Sequence, residues 1–209
     1  MLDRGFRSIT HEFSRFKLSY QRSCDESILP NNRAMVEHEK TMFQSQRFNV
    51  VRLIHRIDDS TQIEKDVIRH PGAVVILPIV EPDRVCLIRN FRVSVNRHLI
   101  ELPAGTLEAG EDPEKAAHRE LIEETGYVAD KIQPMRSFVV SPGILDEEMH
   151  LYAATGLRIG QPQREEGELI ENLVVPWEEA IDMVRNEQIS DAKSIIGLLS
   201  YELFHRSSQ

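Results

Sequence analysis

The feature that most constrains the fold of this chain is an acidic segment that reads as one well-bounded helix. Asp112 is suited to cap the helix N-terminus, and Pro113 suits the first helical position. Gly126 is placed to end the helix in a left-handed conformation. The sequence therefore predicts a helix over residues 113–125.

Three carboxylates crowd one side of this helix. Glu120 and Glu124 share a face, Glu123 lies at its edge, and Ala117 and Leu121 form a neighbouring apolar stripe that would pack on a sheet. Like charges at helix spacing destabilise a helix, and a divalent cation between them would reverse that effect. Oxygen ligands without histidine or thiolate favour Mg²⁺, with Mn²⁺ as a substitute. The alternative is an acidic helix face that is simply solvated.

Strand-like patterns flank the helix on both sides. Residues 47–57 and 62–69 surround the turn "DDST" and predict a hairpin. The continuous apolar run "AVVILPIV" has the length of a buried strand, and "RVCLIRNF", "HLIEL", "KIQPMRSFVV", "EEMHLYAATG" and "LIENLVV" are further candidates. Two helices are predicted near 177–186 and 191–204. This order indicates an α+β fold with a mixed β-sheet packed by helices.

Composition narrows the class of protein. A chain of 209 residues with 41% hydrophobic content is long enough to bury a substantial core. The formal net charge of -9 argues against a general affinity for nucleic acid. The two cysteines, Cys24 and Cys86, support neither a disulfide framework nor a zinc site, and no apolar run is long enough to span a bilayer. The expected location is the cytoplasm, with no membrane partner.

The chain divides into three predicted segments. Residues 1–34 carry six basic and four acidic side chains and are expected to be a loosely attached extension, or an upstream start ahead of Met35. Residues 35–70 are predicted to form a small β lobe that mediates dimerisation. Residues 71–209 are predicted to form the main domain, which contains the acidic helix.

The helix belongs to a longer pattern that resembles a known family. The pattern is the Nudix box, G-x5-E-x7-R-E-U-x-E-E-x-G-U. All its fixed positions are matched, by Gly105, by Glu111 and by the run "RELIEETGY" that begins at Arg119. The stretches "ELPAG", "SPG" and "ISDAKSI", together with Pro142, resemble the ADP-ribose pyrophosphatase branch. The element "LIRNFR" is similar to that branch's Q-Y-R element, with Asn and Phe in place of Gln and Tyr.

The resemblance implies a fold and a metal site. The implied fold is an α/β/α sandwich with a mixed β-sheet, preceded by a small N-terminal β-hairpin lobe. The implied metal ligands are Glu120 and Glu124, with Glu123 shared between metals and the backbone carbonyl of Ala104 completing the set. Arg119 is expected to orient these carboxylates, with Glu111 as its partner in a structural role.

The resemblance also implies residues outside the box. An acidic loop of the form E-x-E supplies the general base in this branch, and Glu166 or Glu168 fits that spacing, with Glu166 favoured. Arg92 is expected to bind phosphate, and Glu147 matches an acid near the sugar end of the substrate. Glu101 is expected to contact metal or nucleotide.

The implied activity is Mg²⁺-dependent hydrolysis of ADP-ribose to AMP and ribose 5-phosphate. Another nucleoside diphosphate sugar is an alternative substrate. A catalytically silent nucleotide sensor is the alternative from a different class, and it would be expected to lose box carboxylates. The family further implies a homodimer in which N-terminal strands cross to the partner and help to enclose the adenosine.

Overall fold

The computed structural model describes residues 35–206 apart from 59, 82 and 165–168. They fall into two compact units, one of residues 35–38 and 54–64 and the other of residues 39–53 and 65–206. The strands are β1 (Met35–Gln44), β2 (Asn49–Asp58), β3 (Thr61–Arg69), β4 (Ala73–Glu81), β5 (Arg84–Arg92), β6 (Arg97–Glu101), β7 (Ala104–Thr106), β8 (Tyr127–Val139), β9 (Glu148–Ile159) and β10 (Ile170–Pro176). The helices are α1 (Pro113–Thr125), α2 (Trp177–Arg185) and α3 (Ala192–Phe204).

The predicted N-terminal hairpin is present as β2 and β3. Its turn is stabilised locally, because the backbone N–H and the hydroxyl of Ser60 donate to one carboxylate oxygen of Asp58 at 2.8 and 2.7 Å. A strand that the sequence did not predict, β1, lies on the other side of β2. The N-terminal sheet therefore has three strands, in the order β1-β2-β3.

The main sheet is mixed, as predicted. Its strand order is β10-β5-β4-β9-β8, with β6 paired to β5 and β7 paired to β4. The β4–β9 pair is parallel, and the other pairs are antiparallel. The apolar run predicted as a buried strand is β4, at the centre of this sheet. The short strand β7 was not among the strands predicted from the sequence, and it forms because residues 104–106 pair with the start of β4.

Alternation along β4 creates two cores, one on each face of the sheet. Val75 and Leu77 point to the face covered by α2 and α3, where Leu198 and Tyr201 are buried. Val74 and Ile76 point to the opposite face. Burial of a large aliphatic side chain such as these contributes about 1.5–3 kcal/mol. Two apolar faces covered by helices give the α/β/α sandwich that the resemblance implied.

The helix α1 is built as its sequence predicts. Asp112 accepts hydrogen bonds from the N–H groups of Glu114 and Lys115, both at 3.1 Å. Gly126 ends the helix with a φ of 77°. Ala117 and Leu121 are fully buried against the sheet, and the neighbouring face of the helix carries Glu120 and the buried Glu124.

Two further sequence predictions concern composition. Cys86 is a free thiol in the core, and burial raises its pKa to about 12, which makes it unreactive at neutral pH. Among the helices in the described part of the chain, none is both long and apolar enough to cross a membrane.

Candidate active site

The glutamate face of α1 borders a cavity of about 980 Å³. The lining comes from α1, from β7 and the loop after it, from the turn between β1 and β2, and from the end of β3. This volume lies at the upper end of the range of about 300–1,000 Å³ for small-molecule sites. The predicted residues that reach it are Arg92, Ala104, Arg119, Glu120, Glu123 and Glu124.

Arg119 is the hub of the carboxylate cluster. Its Nε and Nη2 atoms donate to both carboxylate oxygens of Glu111 at 2.9 Å each, as predicted for this pair. Its Nη1 atom donates to Glu120 at 2.6 Å and to Glu123 at 2.8 Å. The hydrogen bonds that Arg119 donates to Glu111, followed by those to the other two carboxylates, raise the pKa of Arg119 despite its partial burial. A permanently charged guanidinium thus fixes three carboxylates beside the cavity.

Glu124 is held from the other side by the main chain of β7. Its carboxylate is buried and accepts a hydrogen bond from the N–H of Ala104 at 2.9 Å. The structure therefore brings together Glu124 and Ala104, two of the predicted metal ligands. The predicted ligand atom of Ala104 is its carbonyl oxygen, on the same short strand.

Gly105 makes room for Glu120. A Cβ atom at Gly105 would lie 1.8 Å from the carboxyl carbon of Glu120 and 1.9 Å from one of its oxygens. The carboxylate therefore rests directly over the glycine backbone. The need for glycine at the first position of the box is thus steric, since any side chain there would displace a predicted ligand.

The donor set fits a hard divalent cation in its chemistry. Glu120, Glu123, Glu124 and the carbonyl of Ala104 offer oxygen only, the ligand type that Mg²⁺ and Mn²⁺ prefer. Within the described residues, no three His, Cys, Asp or Glu side chains are already arranged as a metal cage. Gly105 leaves the space that the carboxylate of Glu120, one of these donors, occupies.

Arg92 approaches the cavity from the end of β5. Its Nε and Nη2 atoms form a two-point contact with Glu101 at 2.8 and 2.7 Å. The hydrogen bonds that Arg92 donates to Glu101 raise the pKa of Arg92. Glu101 itself is fully buried and also accepts from Lys193. The structure thus places Glu101 behind Arg92, where the carboxylate orients the guanidinium that borders the cavity.

Glu147 lies in a smaller cavity of about 240 Å³ that Arg92 and Ala104 also line. One of its oxygens is 3.4 Å from the Nδ1 atom of His70. The neighbouring Asp146 accepts from Arg69 at 2.9 Å and from the backbone N–H of His70 at 2.8 Å. The loop that carries Glu147 is therefore fixed to the end of β3. No motif in the sequence predicted these loop contacts.

Glu166 and Glu168, the predicted general base and its alternative, lie outside the described residues. The described chain just before them is fastened to the end of α1. Arg164 donates from Nε to the backbone carbonyl of Glu124 at 3.0 Å and from Nη2 to Asn172 at 3.0 Å. The N–H of Gln163 donates to the carbonyl of Glu123 at 3.0 Å.

Comparisons with known proteins agree with this architecture. The sequence profile described as "NUDIX domain" matches residues 69–196. The crystal structure of an ADP compounds hydrolase superposes with a TM-score of 0.74 at 21% identity, covering 84% of this chain and 95% of that one. This similarity confirms the fold, a mixed sheet flanked by helices.

Three relatives align over most of their own lengths. The chain is 37% identical over 142 residues to an ADP-ribose pyrophosphatase of Bacillus subtilis (strain 168), covering 67% of this chain and 77% of the relative. It is 34% identical over 174 residues to a methanol dehydrogenase activator of Bacillus methanolicus, with coverages of 79% and 93%. It is 35% identical over 185 residues to a GDP-mannose pyrophosphatase of Cronobacter sakazakii (strain ATCC BAA-894), with coverages of 80% and 95%.

Proposed function

The chain belongs to the NUDIX family, and from this premise we propose that it hydrolyses the pyrophosphate bond of nucleoside diphosphate sugars. The proposed substrate is ADP-ribose, with AMP and ribose 5-phosphate as products and Mg²⁺, or Mn²⁺ in its place, as the cofactor. One observation carries the proposal: an oxygen-only carboxylate face and an oriented arginine border the same cavity. The names of the pyrophosphatase relatives support the substrate class.

Hydrolysis of a pyrophosphate requires that the negative charge of its two phosphoryl groups be neutralised. A divalent cation, when bound, neutralises phosphate charge and orients the pyrophosphate. We assign its ligation to Glu120, Glu123, Glu124 and the carbonyl of Ala104. Arg92 would hold a phosphate oxygen of the substrate, since its guanidinium is fixed by Glu101 and its side chain is 37% exposed beside the cavity.

Hydrolysis further requires a base that accepts a proton from the attacking water. The water oxygen attacks one phosphorus atom, the bond from that phosphorus to the bridging oxygen breaks, and the base takes the proton. We propose Glu166 for this role, with Glu168 as the alternative. The contacts of Arg164 with α1 support this assignment, because they fasten the chain to the metal-ligand helix two residues before Glu166.

The substrate assignment is tested by a panel of nucleotide sugars. Purified protein is incubated with ADP-ribose, ADP-glucose or GDP-mannose in Mg²⁺, and phosphate released by an added phosphatase is measured. The expected result is the highest kcat/KM for ADP-ribose, with no phosphate released from intact substrates when Mg²⁺ is replaced by EDTA. Preference for GDP-mannose would move the assignment to the alternative sugar, and no cleavage of any member would overturn the activity.

A regulatory function is the second candidate, because one relative is a methanol dehydrogenase activator. Hydrolysis depends on the box carboxylates, whereas a purely regulatory function would not. A Glu120→Gln variant would lose turnover on the panel under the enzymatic proposal. A chain that cleaves nothing but binds a nucleotide equally well with and without this substitution would favour the regulatory role.

We also propose that the chain is a cytoplasmic homodimer held together by its N-terminal lobe, residues 35–70. The exposed side chains of Met42 and Phe43 on β1 support this, since an exposed strand with apolar groups is a liability unless it is covered. Light scattering tests the idea with two truncations. Removal of residues 1–34 is expected to leave an active dimer, and removal of residues 1–70 to abolish both dimer and activity. A fully active monomer of the full-length protein at micromolar concentration would contradict the proposal.

A further inference from the structure

A largely buried cluster of alternating charges lies between α3 and the end of β6, and Asp191 and Lys193, like Arg92, border the smaller cavity. Its members run in the order Arg92, Glu101, Lys193 and Asp191. Arg92 makes its two-point contact with Glu101, Lys193 donates to Oε2 of the same carboxylate, and Lys193 lies 2.9 Å from Asp191. Exposure falls from 37% for the Arg92 side chain to 1% for Glu101 and 9% for Lys193. Arg92 is thus the most exposed member of the cluster.

The position of Lys193 is fixed by the start of its helix. Asp191 caps α3 by accepting from the N–H and the hydroxyl of Ser194 at 3.0 and 2.5 Å. The same hydroxyl oxygen accepts from the N–H of Leu102 at 2.6 Å. One turn later, Gly197 allows close packing, because a Cβ there would lie 2.4 Å from the side chain of Leu102. Helix α3 is therefore attached to the segment that leads directly into the box.

The cluster contains two positive and two negative side chains, so its net charge is zero. Burial makes this neutrality necessary. Burial opposes ionisation of Glu101, but the hydrogen bonds of Arg92 and the charge of Lys193 outweigh it, so the pKa of Glu101 is lowered. A buried carboxylate is costly unless cations and hydrogen bonds compensate it. Removal of Lys193 would leave two carboxylates, Glu101 and Asp191, with Arg92 as their remaining partner in the cluster. The guanidinium would then be drawn inwards, away from the cavity.

The orientation of Arg92 determines which of its N–H groups remain available to a ligand. Its Nε and Nη2 atoms are directed to Glu101, and no described residue accepts a hydrogen bond from its Nη1 atom. Both cavities described above have Arg92 in their lining. A guanidinium held in this way presents a pre-oriented donor edge to an anionic group, at a small cost in side-chain entropy.

We propose that Lys193, with Asp191 as its counter-ion, is a positioning residue for the substrate: it holds Glu101, and through Glu101 it directs Arg92 at the pyrophosphate. The proposal deepens the function proposed above and rests on it. It gives a role to the "ISDAKSI" stretch, which follows the catalytic box by more than sixty residues in the chain and has no place in the metal site. Lys193 acts through another residue, since its ammonium group is already engaged by two carboxylates.

The test is a double-mutant cycle on ligand binding. Affinity for ADP-ribose is measured by calorimetry in EDTA, where turnover is absent, for the wild type, Lys193→Met, Arg92→Gln and the double variant. Lys193→Met is expected to raise the Kd about tenfold, the lower range for residues that orient a ligating group. The double variant is expected to bind no more weakly than Arg92→Gln alone, because both changes remove the same contact. Lys131→Met, at an exposed lysine of β8, is the matched control and should bind as the wild type does.

Additive effects in this cycle would overturn the proposal, because a lysine that touches substrate directly, or that only stabilises the fold, loses affinity independently of Arg92. An unchanged Kd in Lys193→Met would overturn it as well. Where Lys193→Met is insoluble, Lys193→Gln replaces it, since glutamine keeps an N–H donor for Glu101 without the charge. Lys193→Arg, which keeps the charge, is expected to bind within about threefold of the wild type.

A crystal structure of the Lys193 variant separates this inference from the proposed function. The expected result is an Arg92 side chain turned from the cavity towards Asp191. A guanidinium that keeps its position would overturn the inference, whatever the substrate is. A wild type that neither binds nor cleaves ADP-ribose would overturn the proposed substrate, and the structure of the variant would still decide the role of Lys193.

Discussion

Replacement of Gly105 by alanine is expected to inactivate the enzyme while leaving its fold intact. The added Cβ atom would lie 1.8 Å from the carboxyl carbon of Glu120. Ordinary van der Waals contact begins near 3.4 Å, so the carboxyl carbon has to move by at least 1.6 Å. The atoms that must move belong to the end of a flexible side chain. The backbone of β7 therefore stays in place, and the proposed metal ligand leaves its position.

The magnitudes of the two effects differ widely. A displacement of about 1 Å in a catalytic geometry costs about 100-fold in rate, so a loss of kcat of at least that size is expected. Stability changes little, because loss of the partly exposed Arg119–Glu120 hydrogen bond costs about 1 kcal/mol. The reduced freedom of alanine in the unfolded chain returns about 0.4–1 kcal/mol. The Tm is therefore expected to stay within about 4 °C of the wild type.

The assay pairs steady-state hydrolysis of ADP-ribose with calorimetric unfolding. Gly143→Ala is the matched control, since nothing lies within 4 Å of a Cβ at that glycine, and its kcat and Tm should be those of the wild type. A Gly105→Ala protein with wild-type kcat would falsify the assignment of Glu120 to the metal site. A Gly105→Ala protein that fails to fold would show that β7, rather than the side chain of Glu120, yields to the new methyl group.

Three further predictions concern the other carboxylates. Glu120→Gln and Glu124→Gln should each lower kcat by orders of magnitude without unfolding the protein, as a charged metal ligand is lost; unchanged turnover in either variant would refute the metal assignment. Glu166→Gln should depress kcat strongly with little change in KM, and Glu168→Gln should do less; the reverse order in steady-state kinetics would make Glu168 the base. The pKa of Glu111 is lowered by its arginine partner, so the pair stabilises the fold fully above the ordinary value of 4.5 and is lost as pH falls through the folded-state pKa. In thermal unfolding, Glu111→Gln should therefore have a lower Tm than the wild type at pH 7, and a gap that failed to narrow on acidification would contradict this linkage.

Much of the fold could be predicted because its signals are local. The N-cap, first-turn proline and C-cap glycine of α1 all lie within one stretch, and the structure has the helix at the predicted residues. The central strand was visible as an uninterrupted apolar run. The strands β1 and β7 were missed for a physical reason. β1 carries no strict alternation, and β7 is three residues long and exists only because it pairs with β4.

The candidate site likewise combines features that the sequence predicts with contacts that only the tertiary structure creates. The spacing of Glu120, Glu123 and Glu124 on a helix determines that they share one side, and the charge of Arg119 in the same run determines their partner. Helix geometry fixes both facts without help from the rest of the chain. The structure then adds contacts that no spacing encodes, such as the seat of Glu120 over Gly105 and the hydrogen bond from Ala104 to Glu124.

The sequence by itself determined the family, the fold class and the carboxylate-bearing helix of this protein, because capping, hydrophobic periodicity and box spacing act over a few neighbouring residues. Tertiary structure alone decided which charges meet in the interior. Lys193 reaches Glu101 across 92 positions of the chain. That contact forms because α3 packs on the strand before the box and excludes water from both groups. In such a place an unpaired charge is too costly to remain, so the fold itself selects the partner.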